Sequence, residues 1–366
     1  MMRRRVVVVG LGDTGMLTAI GLARHADVLG VSVKPGLLSG QELGMRLTRP
    51  DEWARNYWIE FGRLRGLDRV QRAHGEVIGV DLAARTVTIH TADGLTRTEP
   101  FDALVIATGV TNGFWRRPTV QSAGEIDTAI AAAHARLADA ASVAVIGGGA
   151  AAVNSAGNIA RRWPDKRVDL YFPRDQALRS HHPRVWRTVS RRLESLGVAI
   201  HSGHRAELPH GVAPDLLDAG TVHWATGQPD IHADAVLWAV GQARPNTDWL
   251  PTELLDDGGF VRVGPDFRVP GQPGVFAIGD VAATDPLRSS ARNRGDKLLV
   301  RNVRAELTGG RMRQFRPRPH RWGSVLGPQP DGLQVFMPTG HSFRMPAWSL
   351  TPIIQRTIYR GVRPPR

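Results

Sequence analysis

Val6 to Val9 is an unbroken β-branched run ending at a glycine, the pattern of a strand buried on both faces of a parallel sheet. Met16 to Arg24 then reads as a helix, and Val28 to Val33 predicts a second strand. The same order returns further along. Leu104-Val105-Ile106 and Ala144-Val145-Ile146 predict strands, an alanine-rich helix runs to about Ile159, and Lys166 to Phe172 predicts the strand after it. Strands alternating with helices predict an α/β protein with parallel sheets. Thr48-Arg49-Pro50-Asp51 reads as a helix start with Thr48 as cap, and Trp53, Tyr57 and Phe61 follow at four-residue spacing. Such a face either lines a channel for a flat acceptor or packs in a core. Trp322 to Gly327 predicts a short strand. Ala347, Leu350, Ile354 and Ile358 predict a terminal amphipathic helix, with Trp348 and Tyr359 near its ends and Arg356, Arg360, Arg363 and Arg366 adding charge.

Two glycine turns carry the chemistry. Gly10-Leu11-Gly12-Asp13-Thr14-Gly15 lies between the first strand and its helix. There Gly10 permits a tight turn, Gly12 lets backbone approach a diphosphate, and Gly15 lets helix pack on strand. The helix N-terminus presents amides and partial positive charge to the anion. Gly147, Gly149 and Ala152 repeat the arrangement, with alanine in the third place, around Ala150 and Ala151. Two dinucleotide turns predict two dinucleotides; a duplicated unit that has lost its ligand is the alternative. The acid that would hold an adenosine ribose is missing from both following strands. Ser32 stands there first, and Phe172 second, with Arg174 two residues on. A missing acid beside an arginine accommodates a 2′-phosphate, so NADH and NADPH both stay open.

At 366 residues the chain is long enough for two or three domains, and 42% hydrophobic with 22% charged residues is globular composition. It has no cysteine, which excludes disulfides, thiolate metal sites, iron–sulfur clusters and a redox-active dithiol. His181-His182-Pro183 reads as a helix entry, and no metal site is expected. The net charge is +13, and residues 281–366 hold 16 basic against 4 acidic side chains. Such a tail suits an anionic membrane surface or nucleic acid, or is simply a solvated arginine-rich face. No export signal and no stretch long enough to span a membrane is expected, which points to the cytoplasm.

The blocks Gly10 to Gly15, Ala107-Thr108-Gly109, Gly147 to Ala152, Trp238 to Gly241 with Pro245-Asn246, and Gly274 to Asp280 stand in an order and spacing that resemble the FAD-dependent pyridine nucleotide oxidoreductases. Within them, the resemblance is to the branch of type II NADH dehydrogenases and apoptosis-inducing-factor-like proteins. The resemblance implies two Rossmann-like, three-layer dinucleotide domains, the second inserted in the first, and a small C-terminal α/β cap. It sets FAD on residues 1–119 and 256–310, NAD(P)H on 120–255, and the cap at 311–366. FAD would then meet Gly10, Gly12, Asp13, Thr14, Gly15, Ser32, Lys34, Thr108, Gly109, Gly279 and Asp280. NADH or NADPH would meet Gly147, Gly149, Ala150, Ala151, Ala152, Arg174 and Gly241. Lys34 resembles a basic residue of that branch and is the candidate catalytic group, a cation beside the reduced flavin; an exposed lysine at a strand end is the plainer reading.

Without cysteine, electrons leave the flavin directly for a bound acceptor. The resemblance implies a quinone; the terminal helix either rests on the inner membrane face, making the protein peripheral, or packs on its own cap. A ferredoxin-type reductase is the alternative enzyme. The missing acids, together with Asn154 where the family has glutamate, leave room for a non-enzymatic flavin-bearing interaction or nucleic-acid-binding protein.

Overall fold

A computed structural model describes residues 3–111, 117–208, 217–240, 244–284, 295–316 and 320–364. Chain order runs β1 (Arg5–Val9), α1 (Asp13–Leu22), β2 (Asp27–Ser32), β3 (Gly36–Leu38), α2 (Leu43–Thr48), α3 (Pro50–Tyr57), β4 (Trp58–Glu60) and β5 (Val70–Asp81). Then come β6 (Thr86–Thr91), β7 (Thr96–Pro100), β8 (Ala103–Ile106), β9 (Val110–Thr111), α4 (Ala123–Asp139), β10 (Ser142–Ile146), α5 (Ala150–Arg162), β11 (Arg167–Tyr171), α6 (Pro183–Glu194) and β12 (Val198–His201). The chain continues through β13 (Gly220–Val222), β14 (Ile231–Ala233), β15 (Ala235–Trp238), β16 (Arg244–Pro245), β17 (Val275–Ala277) and α7 (Gly295–Thr308). It closes with β18 (Pro328–Gln329), β19 (Gly332–Phe336), β20 (Ser342–Met345) and α8 (Ala347–Pro352).

The first sheet has the order β17-β8-β1-β2-β5-β6-β7. Its first five strands are parallel, and β5 then turns into an antiparallel meander with β6 and β7. Val6 and Val8 face α1 and α7, while Val7 and Val9 face Val77, Val87 and Ile89 of the meander. That burial on both faces is why β1 needs four consecutive valines. The second sheet, β12-β11-β10-β15, is parallel throughout. It is covered on one face by α4, α5 and α6 and on the other by the β13–β14 hairpin. Two three-layer Rossmann-like units result, one threaded into the other.

The core of the second unit does not stop at its own elements. Leu43 and Leu47 of α2, and Val325 and Phe336 of the C-terminal segment, join the same apolar cluster. Residues from all three parts of the chain therefore contribute to this one cluster.

Four sequence expectations change. Thr48 does not cap a helix; it closes α2, its hydroxyl donating to Gly44 O at 2.7 Å, and Arg49 precedes α3. The aromatic row breaks at Tyr57, where α3 ends. Trp53, 0% exposed, stacks on Tyr57 against Ile126 and Ile130, while Phe61 joins the first unit's core. These rings are packing and line no channel. Residues 322–327 form no strand: Gly323 makes a single bridge to Phe336, and the cap's sheet is β18-β19-β20. The terminal helix is α8 followed by a π-helical turn at Ile353–Ile358. Pro352 lacks the N–H that a regular turn requires, and the hydrogen-bond spacing widens after it. His182 does open a helix, its ring accepting from Arg184 N at the start of α6.

Candidate functional site

Four loops line the carboxyl edge of the first sheet in strand order: Gly279-Asp280 after β17, Ala107 to Gly109 after β8, Gly10 to Gly15 after β1, and Ser32 to Lys34 after β2. This is where open parallel sheets bind extended ligands. Gly10 holds φ +97° and passes so near β8's exit that a Cβ would sit 2.3 Å from Ala107 O. At Gly12, the N-cap of α1, no side chain caps the helix and a Cβ would meet nothing within 4 Å. That open backbone, at the positive end of a helix, is shaped for a diphosphate. Asp13, in the first turn, is held by Ser39, whose hydroxyl lies 2.9 Å from both carboxylate oxygens. Ser32 Oγ accepts the Lys34 amide at 3.2 Å, leaving its own proton to donate. Gly279 takes φ +84° before the half-buried Asp280.

The second turn repeats the first bond for bond. Gly10 N donates to Val31 O, and Gly147 N to Tyr171 O, each at 2.8 Å. Gly147 adopts φ +142°, with Ala239 O 2.2 Å from where its Cβ would lie. From Gly149 onward exposure falls residue by residue: Ala150 is exposed, Ala151 half-buried and Ala152 buried against the turn. No side chain caps α5 and no acid lies in its first turn. Phe172, equivalent to Ser32, turns inward. It is 1% exposed and meets Trp186 edge-on at 5.4 Å, so it does not face a ribose as its position suggested. The loop after it folds back, Leu178 N donating to Gly148 O at 2.7 Å, and carries the exposed Arg174 four residues earlier. Gly241 and Arg366 lie outside the described residues.

The units are joined by a ribbon that sequence reasoning did not anticipate. β9 pairs antiparallel with β16, so the outgoing and returning chains run side by side. Asn246 locks them. Its Nδ2 donates to Thr108 O at 3.0 Å, its Oδ1 accepts from Thr111 Oγ1 at 2.8 Å, and its carbonyl accepts from Thr108 Oγ1 at 2.8 Å. Thr108 and Gly109 thus border both the first cradle and the crossing. A second seam centres on buried Asn154: Oδ1 accepts Gly44 N at 2.7 Å, while Nδ2 donates to Val325 O at 2.8 Å and Glu42 Oε2 at 3.1 Å. Asn158 adds a bond to Leu326 O.

Lys34 is buried, at 9% exposure, against the plainer reading of its position. Its ammonium donates to Thr119 O at 2.8 Å and to the Gln121 side chain, on the segment entering α4. Burial, reinforced by Arg117 and Arg46 and partly offset by Glu125, lowers its pKa from 10.5 to about 8. The native chain therefore releases this proton at a pH where the unfolded chain still holds it. Wild-type stability should rise between pH 8 and 10.5 relative to Lys34→Met, and the gap should revert as pH falls through 8. Urea midpoints across that window check this; parallel curves would refute it. At the start of α7, burial raises the Asp296 carboxyl above its ordinary range, and nothing in the sequence marked that residue.

Two helix-capped glycine turns, on the carboxyl edges of two interleaved parallel sheets, define an oxidoreductase fold built for FAD and a nicotinamide dinucleotide. The chain belongs to the pyridine nucleotide-disulphide oxidoreductase family, whose model matches residues 4–303. It is an FAD-dependent oxidoreductase that takes a nicotinamide dinucleotide. Oxidoreductase ptaL of Pestalotiopsis fici is 26% identical over 302 residues, 80% of this chain and 77% of that one. The type II NADH:quinone oxidoreductase Ndh of Mycobacterium tuberculosis is 27% identical over 86% of this chain and 75% of its own. Among solved structures, the ferredoxin reductase for the CYP199A2 system of Rhodopseudomonas palustris superposes with a TM-score of 0.68 at 19% identity, covering 91% of this chain and 81% of that chain. The NAD-dependent persulfide reductase from A. fulgidus has the same TM-score at 20% identity; the match covers 90% of this chain but only 63% of that longer one. Lacking cysteine, this chain cannot form the disulphide for which the family is named.

Proposed function

We propose that the chain passes electrons from NADH or NADPH through FAD to a quinone-type acceptor. The observation that carries this reading is the pairing of two glycine cradles across the Asn246 clasp in a chain without a thiol. When bound, a flavin supplies hydride acceptance and onward electron transfer, chemistry no side chain here offers. The residues' own work is to bind, orient and exclude water. Backbone from Gly10 to Gly15, including Asp13 and Thr14, receives the FAD diphosphate, and Ser32 the adenosine ribose. Gly279 and Asp280 take the ribityl region, with Thr108 and Gly109 at the ring. Gly147, Gly149, Ala150 and Ala151, on the packing that Ala152 permits, receive the nicotinamide dinucleotide. Gly241 closes that side, and Arg174 takes a 2′-phosphate. Lys34 serves as a positioning residue, holding the segment that enters α4. Residues 1–119 with 256–310, 120–255, and 311–366 are the corresponding FAD, nicotinamide and cap units.

The mycobacterial relative, an NADH:quinone oxidoreductase, supports the quinone. A peripheral seat on an anionic membrane is supported by the cap's surface, where Trp348 is 81%, Phe343 48% and Ile358 43% exposed near Arg356 and Arg360. Among the described residues no helix is long and apolar enough to cross a membrane. Anaerobic stopped-flow on FAD-loaded protein tests the scheme. NADH or NADPH should bleach the flavin, and a menaquinone analogue in anionic vesicles should restore its colour. Bleaching that only a ferredoxin reverses would replace the acceptor; no bleaching by either nicotinamide would end the proposal.

A further inference from the structure

Helix α6 divides its side chains sharply. Val185, Trp186, Val189 and Leu193 pack toward the second sheet, while Arg191, Arg192 and Ser195 face outward. Across from them stands the cap sheet, and between the two lies a cleft of about 330 Å³. It is lined by Arg191 and Arg192 of α6, Arg344 of β20, Ser195, whose hydroxyl donates to Arg192 O at 2.9 Å, Ser324, whose hydroxyl accepts from Gly327 N at 3.0 Å, and one acid, Asp331. Asp331 Oδ2 sits 2.5 Å from Arg344 Nη1 and 3.9 Å from Arg192 Nη2. Three guanidinium groups therefore stand against a single carboxylate, and the lining keeps an excess of two positive charges. The positive field extends behind the wall: burial, with Arg192 and Arg49 adding to it and Asp331 opposing, holds the Arg161 guanidinium below its ordinary range. Arg161 itself props the wall by donating to Gln329 Oε1 at 2.6 Å.

Both dinucleotide turns are elsewhere, at the carboxyl edges of the sheets, so neither accounts for this cleft. Its volume lies in the range of small-molecule sites. Guanidinium forks with flanking hydroxyls match the oxygens of phosphate, and a dicarboxylate would use only part of them. We propose that the cleft between α6 and the cap binds a small soluble anion carrying a phosphate or diphosphate group. Asp331 holds two of the three arginines in place until the ligand replaces it. The same cap segment, through Val325 O and Leu326 O, holds Asn154 and Asn158 of α5.

Calorimetric titration of pyrophosphate into FAD-loaded protein tests this, with NAD⁺ at saturation to fill the α5 N-terminus and chloride at matched ionic strength as the blank. Wild type should bind. Arg192→Gln combined with Arg344→Gln should weaken binding about tenfold or more, and Asp331→Asn should tighten it severalfold. Arg187→Gln, on the same helix but outside the cleft, should bind as wild type does. Pyrophosphate heats no larger than the chloride blank would overturn the proposal, as would equal affinity in the double variant. So would attachment to phosphatidic acid vesicles without any binding of soluble pyrophosphate, which would make the cleft a lipid headgroup site.

Discussion

Gly15→Ala is expected to abolish flavin retention and to cost about 3 kcal/mol of stability or more. The added methyl would stand 1.9 Å from Gly10 O and 3.0 Å from the Ala107 methyl. The first of these is backbone inside the tight turn, and no rotamer change moves it. Relief requires α1 to lift from β1, which opens the core between Val6, Val8 and Met16 and carries the Gly12 amide away from its position. The second cradle shows that the effect is local, because Ala152 occupies the matching place there and is fully buried. Flavin content after desalting and urea midpoints read the outcome. A yellow variant with an unchanged midpoint would show that the turn tolerates a side chain.

Asn154→Asp is the second large effect, about 3 kcal/mol at neutral pH. The change is isosteric, yet it sets a carboxylate oxygen where an amide now donates to Val325 O and to the Glu42 carboxylate. A donor is lost and two like charges meet in a buried seam. Both burial and Glu42 raise the new group's pKa above its unfolded value. The penalty is therefore absent below the unfolded pKa and grows as pH rises through the folded one. Stability of variant and wild type should converge toward about pH 4 and separate toward about pH 7. A constant difference across that range would place the effect elsewhere. Glutamate, the residue found here in the resembling family, would meet the same acceptors.

What the sequence disclosed and what it hid differ in range. β1 and β10 were legible because strands buried on both faces must be apolar without interruption, and the glycine turns because close backbone approach excludes side chains. Those constraints act between neighbours. The Asn154 seam joins residues more than a hundred positions apart, and the partners of Lys34 stand at 119 and 121, so nothing local marks them. The cap's strands were missed because β20 is only four residues long and, although Ser342-Phe343-Arg344-Met345 alternates, it is exposed along most of its length. Thr48 was misassigned because α2 and α3 meet across Arg49 alone, and a threonine there serves the helix behind it as readily as the one ahead.

The β9–β16 ribbon has a consequence for how such a chain can be rebuilt. Thr111 faces Arg244 in register, so the two residues that flank segment 112–243 stand within about 5 Å of each other. The inserted segment, to which the proposed function assigns the nicotinamide, is thereby a cassette with adjacent flanks, open to exchange between relatives by grafting at one two-residue joint. A transplant would keep its footing only if the incoming α5 brought an asparagine, or new partners for Gly44 and Val325, along with it.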